Sequence, residues 1–209
     1  PAGIPPSAVK TKGIMCVINY PMEILTPVRQ RFVDIVHGLG QRCKALRYLF
    51  QPGSGSAVLR VLCLPELCLT GYTCGDLFLQ DVLLKAAQDS LRHIAAHSAG
   101  KNMLVFVGMP FMHKGKLFNV AAAICDGRLL GLVPKKNIPN YSEFYEMRHF
   151  TPGMDECVDT ALGVKLGSRL LFRCENIEEL VVGAEICEDV WVACPPSTYP
   201  VSYTHLRAH

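Results

Sequence analysis

No run of about 18 apolar residues occurs in the chain, so no segment has the length and hydropathy of a membrane-spanning helix. Nor is there a run of five or six basic residues. The formal net charge is only +3, with the Lys and Arg residues scattered, so a nucleic-acid-binding surface is not expected. The chain has no charged-then-apolar leader. It starts at Pro1 rather than Met, which reads as a fragment. Charged residues make up 19% and hydrophobic residues 50%, too little charge for disorder and enough apolar material for a sizeable core. The 10 cysteines include no Cys-x-x-Cys pair and no flanking histidines at zinc spacing, so no metal site is expected. A core-rich chain of 209 residues needs no disulfide framework. Cys63, Cys125 and Cys187 sit in apolar runs and act as small hydrophobes, which points to a reducing, cytoplasmic compartment.

The run Ile14–Tyr20 reads as a strand ended by Pro21, 28–39 as a helix, and 51–56 as a loop by composition. From Ala57 the pattern sharpens. Residues 57–64 are nearly all apolar, as in a strand covered on both faces, and Pro65 stops them. Asp76 is placed to cap a helix to about Ser98, with Leu77, Val82, Leu83, Ala87, Leu91, Ile94 and Ala95 as its apolar stripe and Gly100 as its stop. Met103–Met109 is the next strand. Leu117–Cys125 and Arg128–Val133 flank Asp126-Gly127, a strong hairpin signal because a type I′ turn needs positive φ at both central residues. Residues 134–153 form a polar-aromatic loop with one helical turn in Ser142–Met147. Arg169–Cys174 and Leu180–Ile186 are two further strands. Strands separated by a helix, mixed with hairpins, point to an α/β sandwich with mixed sheets.

Three of these apolar strands close on residues that together could do chemistry. Cys187 follows Leu180–Ile186, Glu66 follows Pro65, and Lys135 follows Pro134. Taken singly each is ordinary: a buried thiol, a loop carboxylate, a surface lysine. Their shared position at strand ends is what raises them, because open α/β sheets place ligands there. Cys187 would attack an amide carbonyl with Glu66 taking its proton. Lys135 and the backbone N–H after Cys187 would stabilise the oxyanion, and water would then release the thioester. Glu188 and Asp189 lie too close in sequence to Cys187 to be assumed catalytic, and are read as anchors of the turn.

The segment Leu62-Cys63-Leu64-Pro65-Glu66-Leu67-Cys68-Leu69-Thr70-Gly71-Tyr72 is the first of three motifs. The second is Pro134-Lys135 with Pro139-Asn140-Tyr141 and the loop from Glu143 to Gly153; the third is Gly183-Ala184-Glu185-Ile186-Cys187-Glu188-Asp189-Val190-Trp191. In this order they resemble the nitrilase superfamily, and within it the N-terminal glutaminase domains of the glutamine-dependent NAD synthetases. The resemblance covers residues 57 to about 200. It implies a four-layer α-β-β-α sandwich, incomplete at the C-terminus. It also implies a catalytic triad of Glu66, Lys135 and Cys187, and Tyr141 as a contact to substrate glutamine. The domain itself would need no cofactor. ATP and Mg2+ would serve a separate C-terminal synthetase domain, missing from this chain, that takes the released ammonia to make NAD from deamido-NAD. Homo-oligomeric assembly is also implied.

The departures from that family are at the two ends. Residues 1–57 match its opening strand and helix poorly, and 201–209 read as an artefactual tail resembling translated adapter sequence. A truncated domain that is inactive by itself is the expectation. The rival readings are a stand-alone amidase of the same superfamily and a non-catalytic nitrilase-like module.

Overall fold

A computed structural model describes residues 12–18, 61–175, 180–198 and 206–208, the first and last of these as backbone only. The segments expected as a helix at 28–39 and a loop at 51–56 lie outside the described residues, as does the start of the strand expected from Ala57.

Ten strands and one α-helix are described. Strand β1 is Lys12–Ile18 and β2 is Val61–Cys63; helix α1 is Asp81–Ser98. Then follow β3 Leu104–His113, β4 Lys116–Cys125, β5 Arg128–Pro134, β6 Val158–Asp159, β7 Lys165–Leu166, β8 Phe172–Arg173, β9 Leu180–Ile186 and β10 Leu206–Ala208. They form a six-stranded sheet, β2-β3-β4-β5-β7-β6, and a four-stranded sheet, β10-β1-β9-β8. Both mix parallel and antiparallel pairs.

Strands β3 to β5 are almost continuously apolar because both faces of the large sheet are covered. Alternate residues go to opposite sides. Val105, Val107, Met109, Val120, Ala122, Ile124 and Leu132 pack with Leu83, Ala87, Leu91 and Ile94 of α1. Phe106, Ala121, Ala123 and Val133 pack with Val182, Ala184 and Ile186 of β9 in the other sheet. The described residues therefore stack as α-β-β, three of the four layers expected, and the architecture is the α/β sandwich anticipated.

The Asp126-Gly127 hairpin is formed, with φ of 47° and 78° at its two turn residues. It is fastened to the end of α1, where Gly100 N donates to Asp126 Oδ1 (2.6 Å) and Gly127 N to Ser98 Oγ (2.9 Å). A second hairpin, β3 to β4, turns through Lys114 and Gly115 with φ of 47° and 74°. The helix start differs from expectation. Residues Gly75–Leu79 form a 3₁₀ turn, Gln80 is extended, and α1 begins only at Asp81. Asp76 therefore does not cap α1; its carboxylate binds Arg148 and His149. Starting the helix there turns Val82 to solvent, 50% exposed, and brings Leu84 inward. The helical turn expected within Ser142–Met147 lies at Glu146–Arg148. The tail segment Leu206–Ala208 runs parallel to β1 as an edge strand.

Packing is close where the Pro65-Glu66-Leu67 turn crosses β3. A Cβ on Gly108 would sit 2.4 Å from the Pro65 carbonyl oxygen and 2.5 Å from Leu67 N. Gly108→Ala is expected to lower the unfolding free energy by about 1–3 kcal/mol, the usual cost of overpacking. Urea denaturation measures it, and an unchanged midpoint would mean the turn is not seated on this strand.

Candidate active site

Strand β5 runs the same way as β2, because β2 and β3 are parallel and two antiparallel steps separate β3 from β5. The residues that follow β2 and β5 therefore leave the sheet at one edge. Lys135 shares sheet parity with Val133, and Asn119 with Ala121, so both point into the space between the sheets. Cys187 arrives in that space from the other side, directly after Ile186.

Glu66 is turned inward by a tight bend. Cys68 N donates to the Pro65 carbonyl (3.2 Å), and Leu67, fully buried, takes a left-handed φ of 49°. Leu69 N then donates to the Gly108 carbonyl (3.2 Å). The Glu66 side chain is buried, with Oε1 accepting from Asn119 Nδ2 (2.6 Å) and Lys135 Nζ (2.8 Å). Its Oε2 is buried without a hydrogen-bond partner among the described residues.

Lys135 continues the β4–β5 ladder through its N–H to the Asn119 carbonyl (2.8 Å). Gly153 N donates to the Lys135 carbonyl (2.7 Å), an approach only glycine allows, since a Cβ there would lie 2.8 Å from the Pro134 carbonyl oxygen. The Lys135 side chain is fully buried. Its Nζ reaches Glu66 Oε1 at 2.8 Å and both oxygens of Glu146 at 2.7 and 2.9 Å. Glu146 is buried too and also accepts from Tyr72 OH (2.6 Å).

Cys187 opens a 3₁₀ turn, Cys187–Val190, with a φ of 46°. A non-glycine residue held there carries strain of a kind that clusters at functional sites. Burial and the Glu66 charge push its thiol up, against the pull of Lys135, to about 11. Glu66 itself is pushed above the usual carboxylate value, chiefly by burial, with Lys135 opposing and Glu146 reinforcing. For Lys135, burial pulls the pKa down, but the charges of Glu66 and Glu146 and their hydrogen bonds outweigh it, so the ammonium is retained.

Glu66 and Lys135 are thus in direct contact, and the charges of both act on the Cys187 thiol. Tyr141 is exposed, and its OH donates to Oε2 of Glu188 (2.9 Å), the residue after Cys187. Asp189 is buried and accepts backbone N–H groups from Ile186, Lys136 and Asn137, as an anchor of the turn should. Sequence reasoning missed Glu146 and Asn119 as parts of the site. Asn119 had a signal, being the one polar residue inside the apolar run of β4. Glu146 had less, because nothing separates it in sequence from Glu143 of the same loop. Among the described residues no group of His, Cys, Asp and Glu is placed to hold a metal ion, and no helix is long and apolar enough to cross a membrane.

A cavity of about 240 Å³ lies beside Glu146, lined by Tyr72, Phe78, Tyr145 and His149 among others, but not by Cys187. It flanks the ion cluster and does not enclose the thiol.

The carbon-nitrogen hydrolase family profile matches residues 43–194. The chain is 41% identical over 136 residues to the glutamine-dependent NAD(+) synthetase of Mycobacterium tuberculosis, covering 64% of this chain and 20% of that protein. It is 35% identical over 165 residues to the protein of the same name from Thermotoga maritima, covering 78% and 25%. Among solved structures it resembles a glutamine-dependent NAD(+) synthetase from Cytophaga hutchinsonii at a TM-score of 0.58 and 26% identity, over 84% of this chain and 27% of that one. The chain spans about a fifth to a quarter of the length of these curated relatives.

Removing the buried cation should be costly. Lys135→Met would leave Glu66 and Glu146 facing one another unneutralised, an expected loss of about 3–5 kcal/mol at neutral pH. The folded-state pKa of Glu66 is already raised, so the folded state binds its proton more tightly and stability falls as pH rises from the unfolded value through the folded one. The loss should therefore shrink in acid. Urea unfolding at pH 5 and pH 8 measures it, and equal losses at both would contradict the ion-cluster account. In the wild type the raised Lys135 pKa works in the other sense. Its contribution is complete below the usual lysine value and disappears as pH rises through the folded one.

Proposed function

Because the chain belongs to the carbon-nitrogen hydrolase family, we propose that its site hydrolyses the side-chain amide of L-glutamine through a Cys187 thioester and supplies the ammonia for NAD synthesis. The observation that carries this reading is the buried Lys135 ammonium in contact with Glu66, both acting on a thiol at a strained strand end.

Each residue has a role set by its surroundings. A thiol at about 11 is protonated near neutral pH, so Cys187 must lose its proton as it attacks. Glu66 is the base, with its unpartnered Oε2 free to take that proton. As the Cys187 sulfur bonds to the carbonyl carbon, the oxyanion forms near Lys135, whose charge stabilises it. The tetrahedral intermediate collapses, Glu66 returns the proton to nitrogen, and ammonia leaves. Water then attacks the thioester with Glu66 again as base, giving glutamate and the free thiol. Glu146 keeps the ammonium charged and in place. Tyr141 contacts glutamine. No step of this hydrolysis calls for a cofactor. ATP and Mg2+ would serve the synthetase portion of the relatives, which these residues do not span. The setting is cytoplasmic and the assembly homo-oligomeric.

Turnover of glutamine by residues 1–209 alone is expected to fall far below that of a full-length relative. Covalent labelling needs no completed turnover and provides the direct test. A diazoketone mimic of glutamine is expected to alkylate Cys187, as read by mass spectrometry. Cys187→Ala should abolish labelling and Glu66→Gln should slow it about 10³-fold. Undiminished labelling of the Cys187→Ala variant would overturn the proposal.

The pH profile follows from the same groups. Labelling should rise with pH as Glu66 ionises, with a midpoint above the ordinary carboxylate value. Glu146→Gln removes a like charge that pushes Glu66 up, so that acid limb should move to lower pH. A limb that stays fixed would show that Glu66 does not govern it.

A further inference from the structure

Asp189 is a buried carboxylate that the hydrolysis does not use. Its side chain is 2% exposed. Among the described residues its oxygens accept only from uncharged donors: Oδ1 from Asn137 N (2.7 Å), Asn137 Nδ2 (2.8 Å) and Lys136 N (3.1 Å), and Oδ2 from Lys136 N (3.3 Å) and Ile186 N (3.3 Å). The ammonium of Lys136 is engaged elsewhere, with Asp155 Oδ1 at 2.6 Å.

These donors belong to two different sheets. Lys136 and Asn137 follow Lys135 at the end of β5, and Ile186 precedes Cys187 at the end of β9. Among the described residues the strands themselves meet there through apolar packing, Val133 with Val182, Ala184 and Ile186, and the exposed Tyr141–Glu188 hydrogen bond lies further out. Apolar packing is non-directional and leaves sliding along the interface weakly opposed. A carboxylate that grips the backbone directly after the lysine and directly before the cysteine removes that freedom. It also helps close the turn that holds Cys187 at its positive φ.

We propose that Asp189 is a positioning residue that sets the Lys135 ammonium and the Cys187 thiol in register across the two sheets. The inference rests on the thioester reading of the site. Burial pushes the Asp189 carboxyl up and the N–H donors pull it down, so its anionic form depends on keeping them. Asp189→Asn preserves size but puts an NH₂ where one oxygen accepted N–H groups, so either the Ile186 contact or both Asn137 contacts are lost and the link between the sheets is weakened.

A displacement of about 1 Å between reacting groups costs on the order of 10²-fold in rate. Labelling by the diazoketone separates binding from chemistry through its saturation constant and its limiting rate. Asp189→Asn is expected to lower the limiting rate about 100-fold while the saturation constant stays within about threefold. If Asp189 acts through Lys135, the two substitutions are not additive. Adding Asp189→Asn to Lys135→Ala should change the limiting rate less than about threefold, read against the Cys187→Ala background. Asn137→Ala removes a single donor and should give a loss of about 5–10-fold of the same kind, which covers the case in which Asp189→Asn does not fold. A wild-type limiting rate in Asp189→Asn or Asn137→Ala, or a further 100-fold loss in the double variant, would overturn the inference. The outcomes also separate the two readings. Labelling that survives Cys187→Ala sinks the proposed function, whereas labelling lost in Cys187→Ala but intact in Asp189→Asn sinks only the role of Asp189.

Discussion

A single ammonium held between two carboxylates, out of contact with water, is the constraint around which this site is organised. Lys135 touches Glu66 and Glu146, and all three side chains are buried. Taking three charged groups out of water costs more than one ion pair returns unless hydrogen bonds complete the arrangement. Here they do so in part: Asn119 donates to Glu66, Tyr72 donates to Glu146, and Lys135 Nζ makes three contacts. What is left over is Glu66 Oε2 and Asn119 Oδ1, both buried and without a hydrogen-bond partner among the described residues. Two carboxylates against one cation leave an excess negative charge, which favours taking up a proton. Glu66 thus combines an unpartnered carboxylate oxygen with a pKa raised by burial and by the Glu146 charge, as the proposed role of base requires.

Such a cluster persists only if the backbone around it cannot relax. Glu66, Lys135 and Cys187 come from the ends of different strands, and each end is pinned by a close approach or an uncommon dihedral. Gly108 lets the Glu66 turn lie against β3, and Gly153 lets its loop close over the Lys135 carbonyl. Leu67 and Cys187 both hold left-handed φ values, next to the base and at the thiol. For side chains of their kind that conformation is unfavourable by about 1–3 kcal/mol. The two packed cores on either side of the large sheet sustain it.

The strands were legible because burial on both faces writes long apolar runs, and the β4–β5 hairpin because Asp-Gly suits the required dihedrals. The β3–β4 hairpin was not, since Lys114 in the first turn position carries no comparable preference and only Gly115 marked the place. The start of α1 was misplaced because Asp76 looks like a cap locally. What decides its fate is a distant partner, Arg148, seventy-two residues on. The same distinction divides the site. Glu66, Lys135 and Cys187 could be picked out because each ends a strand, a property of the local sequence. Glu146 could not, because its role exists only once a loop folds its side chain back onto Lys135.

The direction of the thiol pKa decides how such a site has to work. Many reactive cysteines are activated in advance by a neighbouring cation that stabilises the thiolate. Lys135 pulls Cys187 that way, but burial and the carboxylates win, and the thiol stays protonated at about 11. A resting thiolate is therefore not what this arrangement favours. In the proposed hydrolysis the thiolate and the protonated Glu66 form together, when a carbonyl enters and the thiol proton moves to the carboxylate. Under that proposal, once the proton reaches Glu66 the carboxylate charge that opposed the thiolate is gone, while the Lys135 charge remains to face the oxyanion. The proposed mechanism therefore has the cluster suited electrostatically to the transition state rather than to the resting thiol, and such a difference is what accelerates a reaction.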